Sequence, residues 1–286
     1  MASRTALSSH SVRRGVKPLA RQGVPGAPPL RASPGWETAA VATWALDLDG
    51  VLWRGQMPIP GAAEAVARLR ARDARVVFLT NNSSPTIAEH LAKLGRIGVV
   101  AGPEDLLTSA QAAASMLQPG SAALACAGPG VCEALAARGV RIVEAGPAAA
   151  VVVGWHREFD FSRLARAADA VRAGARLVGT NEDATLPTPH GLLPGAGALL
   201  AAVAYASGAT PEVAGKPHAP MRRLIAERVG PVATVVGDRP STDGALARAL
   251  GARFALVLSG VTGEGELDGL RPAPDAVAPD LGALVA

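Results

Sequence analysis

Two aspartates stand two residues apart at the end of an apolar run, where their carboxylates could hold a cation. Asp47 and Asp49 close the β-like run 41–48, and the Gly50 that follows permits a turn. Two neighbouring carboxylates in a dry pocket repel each other unless a cation lies between them. A hard divalent cation such as Mg²⁺ meets this need through oxygen ligands. A solvated loop is the alternative that the pair alone leaves open.

A second polar group, Thr80 with Asn81 and Asn82, follows the apolar run 75–79. A hydroxyl, amide side chains and the amides of a turn are donors suited to phosphate oxygens. These residues are therefore candidate phosphate ligands. An ordinary Asn-rich turn is the competing interpretation.

Lys216 lies in a Gly-Lys-Pro loop and is one of three lysines, with Lys17 and Lys93, in a chain that otherwise uses Arg. A lysine kept in such a chain indicates a need for a compact point charge. At Lys216 that charge would neutralise a nucleophile and a phosphate. A surface lysine in a Gly-Pro loop is the alternative.

Two further aspartates, Asp238 and Asp243, frame a short loop. Asp238 ends the apolar run 232–237 and is a candidate metal ligand. Asp243 opens the next predicted helix, where it would orient Lys216 or a metal-bound water from behind. A negative charge that stabilises a helix N-terminus explains Asp243 equally well, and both roles can hold together.

The elements around these residues alternate between apolar runs of strand length and segments of helical spacing. This alternation predicts an α/β fold with a mostly parallel, Rossmann-like, doubly wound sheet. Ligands bind at the carboxyl ends of the strands in such sheets, where three of the polar motifs stand. One helix is predicted to start at Ser84-Pro85, because Pro suits a first turn, and another to run over 242–250.

The strand and helix pattern restarts near residue 118, which indicates a smaller α/β module inserted into the main one. The catalytic core is predicted to comprise residues 39–117 and 208–286. The inserted module is predicted to comprise residues 118–207.

The opening segment, residues 1–38, differs from the rest of the chain in charge. It carries six bases and no acid before Glu37, and the remaining chain carries 22 bases and 24 acids. Its Ser, Arg, Gly and Pro content predicts disorder. The same composition fits an organellar transit peptide or a start codon placed too early.

Several classes of protein are excluded by composition. The mildly acidic remainder and the scarcity of aromatic residues argue against nucleic-acid binding. No apolar run approaches the roughly 20 residues of a membrane span, so we expect no membrane partner. The opening segment lacks an apolar stretch long enough for a secretory signal, and Arg greatly outnumbers Lys as in a GC-rich bacterial genome, so we expect a cytoplasmic location. Cys126 and Cys132 lack metal-ligand spacing and are predicted to be small buried residues.

Together these motifs resemble the haloacid dehalogenase superfamily of phosphohydrolases, and in particular its class IIA branch. That branch includes p-nitrophenyl phosphatases, phosphoglycolate phosphatases and glycerol-phosphate phosphatases. The resemblance covers the chain from about Thr43 onward. The matching stretches are DLDGVLWRG from Asp47, TNNSS from Thr80, TNEDATLP from Thr180, PGAG from Pro194 and GDRPSTD from Gly237.

The resemblance implies that Asp47 is the nucleophile and forms an aspartyl-phosphate. Asp49 would act as general acid toward the leaving oxygen and then as base for water, with Lys216 beside them. Mg²⁺ is the implied cofactor, bound by Asp47, the backbone carbonyl of Asp49, and Asp238. The expected activity is hydrolysis of small phosphate monoesters, glycerol phosphate or 2-phosphoglycolate first. Nucleotide, sugar or pyridoxal phosphates, or a non-catalytic phosphoacceptor module, are the alternatives.

The inserted module corresponds, by the same resemblance, to a cap that excludes water and selects the leaving group. Asn181, Asp183 and His190 are its candidate specificity residues, and hydrogen bonding within a loop is the alternative for each. The resemblance also implies a possible homodimer formed through the cap.

Three residues beside these motifs have further interpretations. Trp53 and Arg54 follow the first motif and are candidates for a flap beneath the cap, although Trp53 could equally serve packing. His156 stands where relatives usually have Asp, so a change in leaving-group preference is one expectation.

Overall fold

A computed structural model of the protein describes residues 42–188 and 191–286. The predicted disordered segment 1–38 and the candidate His190 lie outside these residues. The strands, in chain order, are β1 (Thr43–Asp47), β2 (Trp53–Arg54), β3 (Met57–Pro58), β4 (Arg75–Thr80), β5 (Leu106–Thr108), β6 (Ala122–Cys126), β7 (Arg141–Ile142), β8 (Ala150–Val153), β9 (Arg176–Gly179), β10 (Thr185–Thr188), β11 (Gly191–Pro194), β12 (Glu212–Val213), β13 (Thr234–Gly237), β14 (Arg253–Val257) and β15 (Ala276–Ala278). The α-helices are α1 (Ala62–Ala71), α2 (Ile87–Arg96), α3 (Ser109–Ser115), α4 (Pro129–Ala137), α5 (Phe161–Arg172), α6 (Ala196–Ser207), α7 (Ala219–Arg228), α8 (Ala245–Leu250) and α9 (Leu281–Leu284).

The larger sheet has six parallel strands in the order β15-β14-β13-β1-β4-β5. Leu46 on β1 lies level with Phe78 on β4 and Val236 on β13, and all three belong to the apolar layer that α1 and α9 cover. Ala45, one residue earlier, belongs to the opposite layer, against α3, α7 and α8. Because side chains alternate along a strand, both faces of this sheet are buried. The predicted doubly wound α/β core is confirmed.

A second sheet carries five parallel strands in the order β12-β9-β8-β6-β7. Helices α5 and α6 cover one face through a separate apolar cluster. On the other face α4 packs against α3 of the core, and the apolar layer is continuous between them. Strand β12 falls in the segment that the sequence assigns to the core, yet it pairs with β9, and Arg176 and Glu212 join these strands through two hydrogen bonds of 2.8 Å.

The described residues also form two short antiparallel hairpins. β2 and β3 form one directly after the first motif, and β10 and β11 form the other in the inserted module. Between residues 42–188 and 191–286, no helix is both long and apolar enough to cross a membrane.

Candidate active site

Three of the predicted site residues meet at one edge of the larger sheet. Asp47 and Thr80 are the last residues of β1 and β4, and Asp238 directly follows β13. These strands are neighbours in the sheet and run parallel, so their carboxyl ends lie side by side. All three residues are buried. The sheet order therefore brings together side chains that are far apart in sequence, as expected for a site at the carboxyl ends of strands.

Lys216 connects two of the carboxylates. Its Nζ donates hydrogen bonds of 2.7 Å to Asp47 Oδ1 and 2.7 Å to Asp243 Oδ1. The Lys216 side chain is 2% exposed, so this ammonium is largely shielded from water. A buried ion pair needs such close and complete pairing to offset the cost of desolvating its charges.

Asp238 is held in a narrow backbone cradle. Its Oδ2 accepts a hydrogen bond of 2.7 Å from the Val261 amide. A Cβ atom at Gly260 would lie 2.0 Å from this oxygen, and one at Gly50, where φ is +87°, would lie 2.4 Å from it. Both positions therefore require glycine so that two backbone segments can close around the carboxylate.

The carboxylates of Asp47, Asp238 and Asp243 offer oxygen atoms that all lie within 4.8 Å of one another. Burial raises the pKa of Asp47 well above its ordinary value, against the lowering effect of Lys216. Burial, with Asp243 nearby, raises the pKa of Asp238 to about 7. Burial alone would lower the pKa of Lys216, but Asp243 and Asp47 raise it above its ordinary value.

One ammonium thus faces three buried carboxylates, and a divalent cation would balance the remaining charge. Clustered carboxylate oxygens are also the donor set that Mg²⁺ prefers. The residues present therefore fit the implied ion. The roles of Asp47, Asp238 and the Asp49 backbone carbonyl as its ligands stay predictions.

Asp49 stands beside this cluster and is only half-buried. It lines the same cavity as Asp47 and Asp238. Its Oδ1 accepts a hydrogen bond of 2.9 Å from the indole Nε1 of Trp53. Its side chain is thus held apart from the Lys216 ion pairs, toward the flap formed by β2 and β3.

The loop after β4 is ordered by its own side chains. Thr80 Oγ1 accepts a hydrogen bond of 2.9 Å from the Asn82 amide, which leaves the hydroxyl proton free to donate. Asn81 Oδ1 accepts a hydrogen bond of 2.8 Å from the Lys216 amide, and Asn81 Nδ2 donates to the Lys216 carbonyl at 3.2 Å. Asn81 therefore fixes the loop that carries the lysine, a contact that the phosphate-binding prediction did not include.

Asn181 and Asp183 line the cavity and also contact the core directly. Asn181 Nδ2 donates a hydrogen bond of 2.7 Å to the Asn81 carbonyl, and its Oδ1 accepts from the Asp183 amide at 3.0 Å. Asp183 Oδ2 accepts from Asn81 Nδ2 at 3.3 Å. Burial raises the pKa of Asp183, against the lowering effect of Arg239. Asn181 thus bonds both within its own loop and to the core, and contact of either residue with substrate stays a prediction.

We expect Asn181→Ala to lower the free energy of unfolding by about 1–2 kcal/mol, because it removes two hydrogen bonds at the junction of the two sheets. Chemical denaturation would measure this change. Ser115→Ala is the control, since Ser115 is exposed and its hydroxyl bonds only within its own helix. Equal stabilities of the two variants would contradict the assigned role.

The cavity above the carboxylates has a volume of about 470 Å³. Its floor is the polar cluster, and its walls come from the flap, the cap and the loops after β13 and β14. The wall residues are Trp53, Arg54, Met57, Trp155, Leu186, Arg239 and Val261. A cavity of this size has room for a small ligand.

The structure shows the surroundings of Trp53, Arg54 and His156. The ring of Trp53 is 1% exposed, and Arg54 is exposed and donates from Nε to the Ser259 carbonyl. His156 is buried, bonds the Gly154 carbonyl at 3.0 Å through Nδ1 and meets the Phe159 ring edge-on. It is not among the residues that line the cavity. His156, which stands where relatives usually have Asp, therefore lies outside the cavity lining.

Comparison with known proteins places this arrangement in a family. The model of the haloacid dehalogenase-like hydrolases matches residues 44–141, and a second model, described as HAD-hydrolase-like, matches residues 213–284. D-glycerol 3-phosphate phosphatase of Mycobacterium tuberculosis is 42% identical over 224 residues, which are 76% of this chain and 62% of that protein. Glycerol-3-phosphate phosphatase of Homo sapiens is 35% identical over 264 residues, which are 80% of this chain and 82% of that protein.

A solved structure shows the same fold. The glycerol phosphate phosphatase of Mycobacterium tuberculosis in complex with magnesium superposes with a TM-score of 0.79 at 38% identity, over 85% of this chain and 75% of that one. The chain belongs to the haloacid dehalogenase-like hydrolases. Within that family it is an enzyme of the phosphatase class.

Proposed function

We propose that this protein is a Mg²⁺-dependent phosphatase that hydrolyses small phosphate monoesters, of the glycerol phosphate or 2-phosphoglycolate kind, through an aspartyl-phosphate on Asp47. The observation that supports it most is the pair of 2.7 Å contacts that tie Lys216 to Asp47 and Asp243 on the floor of the cavity. The relatives named as glycerol phosphate phosphatases support the choice of substrate.

The first half-reaction uses both aspartates of the first motif. A carboxylate oxygen of Asp47 forms a bond to phosphorus as the bond between phosphorus and the leaving oxygen breaks. Asp49, in its protonated form, gives its proton to that oxygen, so the product leaves as a neutral alcohol. Lys216 orients Asp47 and offsets negative charge on the transferring group, and the Thr80 hydroxyl donates to a phosphate oxygen.

The second half-reaction reverses these roles. Water attacks phosphorus, Asp49 takes the proton of that water, and the bond between Asp47 and phosphorus breaks, which releases phosphate and restores both carboxyl groups. Asp47, Asp238 and the Asp49 carbonyl would hold the Mg²⁺, which when bound supplies Lewis-acid stabilisation of charge on the phosphate oxygens.

Metal removal gives the test of this proposal. Phosphate release would be measured over glycerol 3-phosphate, 2-phosphoglycolate, nucleoside monophosphates, sugar phosphates, pyridoxal phosphate and p-nitrophenyl phosphate, with Mg²⁺ and with EDTA. We expect one clear preference, and a fall of roughly 100-fold or more with EDTA, because metal stabilisation of charge in the transition state amounts to several kcal/mol.

The other outcomes of this panel select the alternatives. Preference for a nucleotide, sugar or pyridoxal phosphate would replace the substrate and keep the mechanism. No release from any ester, together with an Asp47 phosphoprotein that persists for hours, would favour the phosphoacceptor module. Release that EDTA leaves unchanged would contradict the metal requirement.

The assembly and location of the protein are further proposals. The expected homodimer through the cap, the cytoplasmic location and the absence of a nucleic-acid partner stay predictions from the sequence. Sedimentation at micromolar concentration would test the dimer, and a monomer there would contradict it.

A further inference from the structure

The side chain of Asp49 has one close partner that the mechanism above does not use. The Trp53 indole donates from Nε1 to Asp49 Oδ1 at 2.9 Å, across four residues of chain. The loop between them is closed by its backbone, since the Gly50 amide donates to the Trp53 carbonyl at 2.7 Å and the Leu52 amide to the Leu48 carbonyl at 2.9 Å. A rigid turn therefore aims the indole N–H back at the carboxylate.

Lys93 on α2 holds the other side of the same indole. Its Nζ lies 3.9 Å from the centroid of the Trp53 ring and donates to the Gly55 carbonyl in the flap at 2.7 Å. A cation over an indole face is the strongest common form of cation–π interaction, and this attraction is stronger where water is partly excluded. Lys93, which the sequence singles out only as a rare lysine, thus links α2 to both the ring and the flap.

We infer that Trp53 and Lys93 position the Asp49 carboxyl group for proton transfer, and this inference rests on the proposed function. With Oδ1 engaged by the indole N–H, the proton of the acid form resides on Oδ2. That proton passes to the leaving oxygen as its bond to phosphorus breaks and the bond from Asp47 forms. Asp49 is only half-buried and has no ion pair in the described part of the chain, so the indole fixes its rotamer.

A purely structural role for Trp53 makes a different prediction. A buried indole needs some acceptor for its N–H, and packing alone would explain a ring that is 1% exposed. Loss of packing would slow every substrate alike. Loss of the aimed hydrogen bond would slow only those substrates whose leaving oxygen needs a proton.

The experiment compares two esters in the Mg²⁺-loaded enzyme. The leaving group of glycerol 3-phosphate is an alkoxide that must be protonated, whereas p-nitrophenolate leaves as a stable anion. The value of kcat/KM reports steps through the transfer of phosphoryl to Asp47 and is blind to the later attack of water. Trp53→Phe keeps the ring and removes the donor. Lys93→Met keeps the length of the stem and removes the charge.

We expect Trp53→Phe to lower kcat/KM for glycerol 3-phosphate by roughly 10- to 100-fold and for p-nitrophenyl phosphate by less than about 3-fold, as befits partial loss of general acid catalysis. Lys93→Met should show the same selectivity with a smaller loss. Trp44→Phe is the matched control, because Trp44 lies on β1 and does not line the cavity, and it should leave both values near wild type.

Equal losses for the two esters, or no loss, in an active enzyme would overturn the inference and leave the proposed function intact. A wild type that hydrolyses no ester of the panel would overturn the proposed function, and this inference with it. If another alkyl ester is preferred, that ester takes the place of glycerol 3-phosphate in the comparison. A readout without turnover is the indole N–H resonance of Trp53, which Trp53→Phe assigns by its disappearance. In metal-free protein this resonance should shift in Asp49→Ala, and an unshifted resonance would contradict the hydrogen bond.

Discussion

Replacing Asp47 with Asn is expected to lower kcat by at least about 10³-fold, because a neutral amide is a far weaker nucleophile toward phosphorus than a carboxylate. The fold should persist, since Asn has the shape of Asp and the position is buried among polar partners. Burial raises the pKa of Asp47, so its carboxylate is costly to bury, and a neutral amide removes that cost. Steady-state phosphate release and chemical denaturation would measure the two effects.

Asp73→Asn is a matched control for this variant. Asp73 is exposed in the turn before β4 and has φ of 59°, a conformation that Asn also accepts. We expect it to change neither turnover nor stability. An Asp47→Asn protein that turns over at the wild-type rate would contradict the nucleophile assignment, and one that is unfolded would contradict the account of its burial.

Replacing Lys216 with Met should have the largest effect on stability. The ammonium pairs with Asp47 and Asp243 at 2.7 Å each, and its side chain is 2% exposed. Without it two buried carboxylates lose their counter-charge, which is expected to cost roughly 3–5 kcal/mol of unfolding free energy in Mg²⁺-free buffer. Activity should fall as well, because the same charge stabilises the transferring group.

The loss of unfolding free energy in Lys216→Met should depend on pH with a definite sign. Burial already raises the pKa of Asp47, and loss of Lys216 would raise it further above its value in the unfolded chain. A carboxyl group with a raised folded pKa binds protons more tightly in the folded state, so stability falls as pH rises. The deficit of Lys216→Met should therefore be largest near neutral pH and shrink as pH falls toward the ordinary carboxyl pKa.

Arg96→Met is the control for Lys216→Met, since Arg96 is exposed in the last turn of α2. Such surface changes alter stability by less than about 0.5 kcal/mol. A Lys216→Met protein as stable as this control across the pH range would contradict the assigned burial of the ion pairs.

Much of the active site can be predicted from the sequence, because several of its residues stand at the ends of strands. Asp47, Thr80 and Asp238 each close an apolar run, and parallel strands must present their carboxyl ends at one edge. The strand ends thus predict which residues meet. Lys216 is different, because its loop follows β12, which pairs in the second sheet. Its approach to Asp47 depends on how the two sheets pack, which no local pattern encodes.

Two helices begin later in the chain than the sequence predicts, because of hydrogen bonds near their N-termini. The helix predicted from Ser84-Pro85 begins at Ile87, because Thr86 and Glu89 form a capping box that satisfies the first amides. The helix predicted from Thr242 begins at Ala245, after a π-helical turn over Pro240–Gly244 that places Asp243 against Lys216. Both differences arise from hydrogen bonds that the spacing of residues in the sequence does not predict.

Contacts between polar side chains were the least predictable part. The sequence predicts phosphate binding for Asn81, which stays a prediction, but it does not reveal that the Asn81 amide joins the loop of Lys216 to Asp183. For Trp53 the sequence allows both a flap and a packing role, and the hydrogen bond to Asp49 depends on a turn whose closure the sequence does not specify. Such contacts depend on ångström-scale geometry that emerges only after packing.

The most direct test of the central claim is to trap the phosphoryl group on the enzyme. Wild-type protein would be mixed with Mg²⁺ and its best substrate, labelled in the phosphate, quenched in acid within one turnover, and digested. The label is expected on the peptide that contains Asp47, sensitive to hydroxylamine as an acyl phosphate must be, and absent from Asp47→Asn. Release of phosphate at the full rate with no label on that peptide would contradict the claim.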